Sequence, residues 1–183
     1  MVAVLAVLLL FPLSLAYGVV VAKRALVGPG KPRPPYALPA STPPWIAAVE
    51  RVASRYASPV DPSPSERTQF HYVRIKLVMD PVAKLIASIA GEEPGVLGEV
   101  VDIGTGRGQL PILLVELGRA TRAIGFDWDA KKIEAGNRAA SREGSGAPHP
   151  VELAREDART GEVPPADTVL LIDLLHYFTI EEQ

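Results

Sequence analysis

The chain has 183 residues, 19 lysines and arginines against 21 acidic residues, a net charge of −2 and no cysteine. Without cysteine there is no disulfide framework and no thiolate metal site, and His71, His149 and His176 lie too far apart to show metal-ligand spacing. A balanced charge offers no general basic surface, so no nucleic acid partner is expected.

Met1 to Ala22 carries no charged side chain and is rich in Val, Leu and Ala. As a helix rising about 1.5 Å per residue it would cover roughly 30 Å of hydrocarbon, so residues 1–22 are expected to be a transmembrane anchor. Lys23, Arg24, Lys31 and Arg33 follow, and no acidic residue precedes Glu50. The positive-inside rule then makes this a single-pass membrane protein with its main domain in the cytoplasm. The alternative is a cleaved signal, with Ser14 and Ala16 as the small-residue pair.

Residues 23–66 are expected to form a proline-rich linker, since Pro29 through Pro64 include more than half of the 18 prolines. One island interrupts it: Trp45, Val49, Val52 and Tyr56 recur at helical spacing and predict a short amphipathic helix, docked on the following domain or lying on the membrane. The main domain is expected over 67–183. Asp80-Pro81 forms a cap and first-turn pair, and Val82, Leu85, Ile86 and Ile89 mark the buried face of the helix that follows. Before it, Phe70, Tyr72, Arg74 and Lys76 fall in a second helix. It reads first as a solvated helix with a core-facing aromatic; the alternative is that Tyr72 or Arg74 reaches a site at the core.

Val96, Leu97, Val100, Val101 and Ile103 suit a buried parallel strand, which ends at Asp102 and breaks into the loop Gly104-Thr105-Gly106-Arg107-Gly108. A dinucleotide fingerprint needs a third glycine at 109, and that residue is Gln109. A helix from about Leu110 to Gly118 leads to a second strand, Arg122 to Asp127. Its terminal acid lies about 20 residues past the glycine turn, the spacing at which βαβ nucleotide sites place a ribose acceptor. Asp129 is the better cap for a helix over Ala130 to Ala140, which leaves Asp127 free for a ligand. A third strand near Val151 to Ala154 precedes Glu156, Asp157 and Ala158, and a fourth spans Asp167 to Asp173 before Leu174, Leu175, His176, Tyr177 and Phe178.

These four segments, in this order, resemble the class I S-adenosylmethionine-dependent methyltransferase family over about the last 85 residues. The resemblance implies a Rossmann-like, doubly wound α/β sheet and S-adenosylmethionine as cofactor. It assigns cofactor binding to Asp102, Gly104, Thr105, Gly106 and Gly108 around the methionine portion, Asp127 to the ribose, Trp128 to the adenine face and Asp157 to the adenine amino group. His176 is the candidate catalytic base. The resembled fold has seven strands, so with four the sheet is expected to be incomplete and to leave an apolar edge, or to be completed by a partner chain.

The implied activity is methyl transfer to a small-molecule or lipid-like acceptor at the cytoplasmic membrane face. Asp173 to His176 reads DLLH in place of the family's Asn-Pro-Pro-Tyr signature for amino groups, which favours an oxygen or carbon acceptor. Two alternatives stay open. One is a non-catalytic, membrane-anchored interaction or regulatory module that retains the cofactor fold. The other is an NAD(P)-dependent oxidoreductase, weakened by Gln109.

Overall fold

A computed structural model of the chain describes residues 3–6, 41–89, 93–142 and 150–179. Its centre is a parallel sheet of four strands, β2 (Glu99–Ile103), β3 (Arg122–Asp127), β4 (Val151–Arg155) and β5 (Thr168–Leu171). These stand in the order β5-β2-β3-β4, and β1 (Ala3–Ala6) adds in parallel along the outer edge of β5, from Ala3 opposite Thr168 to Ala6 opposite Leu171. Parallel neighbours require crossovers, and α4 (Gln109–Glu116) and α5 (Ala130–Ser141) provide the first two. The fold is α/β and Rossmann-like.

The strand order fixes where a ligand can sit. From β2 the chain winds to β3 and β4, then returns to the other side of β2 as β5. The carboxyl ends of β2 and β5 therefore bracket a switch point, the place where open α/β sheets bind ligands.

Three helices precede the sheet: α1 (Pro44–Ser54), α2 (Pro64–Met79) and α3 (Pro81–Ile89). Each has proline in its first turn, where the missing amide hydrogen costs nothing. Ser63 closes a capping box with Glu66 at the start of α2, and the Asp80 carboxylate accepts from the Val82 amide (2.9 Å) at the start of α3. The island at Trp45–Tyr56 is α1, and it is docked: Ala48, Val49, Val52 and Ala53 are fully buried and join the core with Val73 and Leu77 of α2 and Ile112, Leu113 and Leu114 of α4. Ion pairs from Arg51 and Arg55 to Glu116, and from Arg142 to Glu66, tie the helices to the sheet domain.

Two expected strand boundaries need correction, and most of the expected anchor falls outside the described residues. Among the described residues no helix is long and apolar enough to cross a membrane. Most of the anchor expected over 1–22 lies outside the described residues, but Ala3–Ala6 are extended, not helical. Val96 and Leu97 precede the first central strand, because Gly98 turns the chain at φ +61° before Glu99. The last strand is shorter than Asp167 to Asp173. Asp167 is spent on a latch, its carboxylate accepting from the Glu99 amide (2.8 Å), and Asp173 leaves the sheet in a left-handed conformation.

Candidate functional site

The glycine loop closes over the end of β3. The amides of Gly104 and Thr105 both donate to the carbonyl of Phe126, at 2.8 and 2.9 Å. The Gly106 amide donates to Asp127 Oδ2 and the Asp129 amide to Oδ1, each at 2.9 Å. Asp127 is thus the post around which the loop and the start of α5 are organised, and Lys132 Nζ stands 3.9 Å from its Oδ1. Asp129 caps α5 by accepting from the amides of Lys131 and Lys132.

The glycines have different duties. At Gly106, φ is +62° and a Cβ would meet nothing within 4 Å, so this backbone faces open space. At Gly108 a Cβ would run into the side chain of Leu153, which also fills the space beside Gly125 and Gly136. Gly106 therefore leaves its backbone open to approach, and Gly108 serves packing.

Asp102 is buried at the end of β2 beneath this loop. Loss of water pushes its carboxyl up to about 6; the Thr105 hydroxyl opposes the shift and the Asp127 charge adds to it. Thr105 is buried with it. Trp128, the residue after Asp127, is 70% exposed, an apolar ring standing in solvent at the carboxyl end of β3.

Asp102, Gly104, Thr105, Gly106, Gly108, Asp127 and Trp128 are thus gathered at the carboxyl ends of β2 and β3. Asp157 follows the end of β4, which is drawn alongside by a bond from the Glu156 amide to the Asp127 carbonyl (3.2 Å). Its own carboxylate is engaged by Arg159, through Nε to Oδ1 (3.0 Å) and Nη2 to Oδ2 (2.6 Å), and these bonds hold it at about 2. His176 lies in a 3₁₀ turn, Leu175–Tyr177, beyond β5, and its side chain falls outside the described residues. Of the two residues placed to reach the core, Tyr72 does so: the Arg107 guanidinium of the glycine loop lies 4.5 Å from its ring centroid. Arg74 pairs with Glu50 of α1 instead.

Sequence reasoning missed two contributors. The Tyr56 hydroxyl donates to the Arg107 carbonyl (2.7 Å), so α1 as well as α2 braces the loop. Lys76 lies 2.9 Å from Asp80 and 3.7 Å from Asp173, at the end of β5. The fourfold spacing of Tyr72 and Lys76 was the available signal, since residues four apart share one face of a helix.

Searched against known proteins, the chain matches no family model and no curated sequence.

Proposed function

We propose that the crevice binds S-adenosylmethionine and that the protein transfers its methyl group to an acceptor. The observation that carries this reading is Asp127. Each of its oxygens takes one backbone amide, from Gly106 and Asp129. An ionised carboxylate has about four lone-pair sites, so about two remain, one on each oxygen, suited to a vicinal pair of ribose hydroxyls. Beside it are the two features a nucleoside with an attached chain requires, an exposed flat ring at Trp128 and an open stretch of backbone at Gly106.

When bound, the cofactor supplies an electrophilic methyl group on a sulfonium, whose bond to sulfur breaks as the bond to the acceptor forms. The chain's own part is positioning. Gly106 brings open backbone close to the ligand, Gly104, Thr105 and Gly108 hold the loop in the shape that presents it, Asp102 shapes the loop from below, Trp128 covers the adenine face and Asp157 takes the adenine amino group. His176 takes the proton of the acceptor. Alignment supplies much of the rate in such a displacement, so the burden on any one base is small.

The acceptor we propose is lipid-like, at the cytoplasmic face of a membrane. The uncharged stretch from Met1 to Ala22, with Lys23 and Arg24 directly after it, supports that placement.

Calorimetric titration of S-adenosylhomocysteine into the full chain tests the cofactor reading. We expect saturable binding, abolished by Asp127→Ala and weakened about tenfold by Trp128→Ala, the loss of about 1.4 kcal/mol of stacking. Trp128 is exposed, so its removal leaves the fold intact. A folded chain that ignores S-adenosylhomocysteine ends the proposal, and binding of NADH in its place points to the oxidoreductase.

A further inference from the structure

Asp173 is the sole non-glycine residue with positive φ among the described residues, at +51°. It stands two residues past the end of β5, on the side of the crevice opposite the glycine loop. Aspartate tolerates this conformation better than most residues, yet it remains unfavourable for any side chain and persists only where the surroundings enforce it. Its contact is with Lys76 of α2, 3.7 Å away.

The same face of α2 is held on the other side of the crevice. Tyr72, one turn before Lys76, packs on Arg107 of the glycine loop, and the Arg107 carbonyl is fixed by Tyr56. Four residues of helix advance about 6 Å, close to the spacing of about 4.8 Å between neighbouring strands. One turn of α2 therefore spans from the loop after β2 to the loop after β5, across the switch point. Leu174 packs where a Cβ on Gly104 would fall, so the two loops also touch each other directly.

We infer that α2 is a strap across the ligand crevice and that the Lys76–Asp173 pair is its latch, with both residues acting as positioning residues for whatever the crevice holds. Two properties suit a latch that must open. The Asp173 side chain is 56% exposed, so water and salt compete for the ion pair and keep it weak. The left-handed backbone at Asp173 favours release of the loop once the pair breaks. The Tyr72 end is the fixed one, because it is packed against the domain by α1. The firmer Lys76–Asp80 contact, at 2.9 Å, lies within the α2–α3 elbow and does not depend on Asp173.

The Lys76–Asp173 contact stands whatever the site binds, and only the choice of ligand rests on the proposed cofactor. Hydrogen–deuterium exchange of the full chain reads the latch without a ligand. Asp173→Asn keeps a residue that accepts the left-handed backbone and leaves Lys76–Asp80 intact. We expect peptides over 72–79 to exchange about threefold to fivefold faster than in the wild type, in line with loss of one exposed pair, and high salt to do the same to the wild type. Asp173→Gly should melt higher while loosening the same peptides, whereas a merely strained turn would gain stability with α2 unaffected. Lys76→Arg in the otherwise wild-type chain, which keeps a cation within reach of both carboxylates, should leave exchange at the wild-type rate. In stopped flow, Asp173→Asn should release S-adenosylhomocysteine about threefold to fivefold faster. Wild-type exchange over 72–79 in both Asp173 variants overturns the latch. Faster exchange in a chain that does not bind S-adenosylhomocysteine keeps the latch and removes the cofactor proposal instead.

Discussion

Two buried carboxylates, Asp102 and Asp127, flank the glycine loop, and their surroundings give them different work. Asp127 receives backbone amides; Asp102 is pushed up to about 6, first by burial. Its folded value lies above the 3.8 of the free side chain, so the folded state holds the proton more tightly. Stability from this group is then greatest below about pH 4 and falls as pH rises through 6, by about 3 kcal/mol across the window. Urea melts from pH 4 to 6.5 should show that decline in the wild type, and Asp102→Asn should remove it. Parallel curves for the two would place the loss of stability elsewhere. Gly106 and Gly108 make a second pair of contrasts. Gly106→Ala meets no neighbour and costs only about 1 kcal/mol for its left-handed backbone, but its methyl group stands where a ligand would approach. We expect a near-normal melt with ligand binding lost. Gly108→Ala collides with Leu153 and should lower the melting temperature first. Equal melting temperatures for the two variants would refute this division of labour.

At the scale of elements, β4 is the outer strand on its side of the sheet and needs protection. Asn137 of α5 provides it by donating to the Leu153 carbonyl (2.9 Å) and accepting from the Leu153 amide (3.3 Å), as a neighbouring strand would. Asn137→Ala leaves both groups to water or to another edge. We expect a loss of about 2 kcal/mol in chemical denaturation and a rise in light scattering on heating. No change in either would show that the edge is protected by other means. The helix periods and caps were legible beforehand: Asp129 before α5 and Asp80 before α3 are short-range signals whose partners lie within three residues. Asn137 was not, because nothing in a helical pattern says which backbone its outward amide will meet.

For the whole molecule, the helices before the sheet belong to its core. Val49, Val52 and Tyr56 of the α1 segment are almost fully buried, against α2 and α4. A chain beginning at Ser63 strips that layer and uncovers apolar surface, so it should bind a hydrophobic dye and melt without cooperativity. A chain beginning at Ser41 should melt cooperatively. Cooperative melting of the shorter chain would show that α1 is dispensable. The sequence by itself determined the α/β alternation, the glycine loop and its flanking acids, because periodicity, turn chemistry and spacing are properties of neighbouring residues. It also placed Asp127 and Trp128 at the end of one strand and Gly106 at the end of another. Only the tertiary structure decided that Gly108 is required by Leu153, that Tyr72 and not Arg74 meets the loop, that Asp157 is held by Arg159, and that Lys76 reaches Asp173. Those outcomes depend on which long side chain finds which partner across the packed layers. That choice is made by distance in space, and a single sequence does not encode distance in any local pattern.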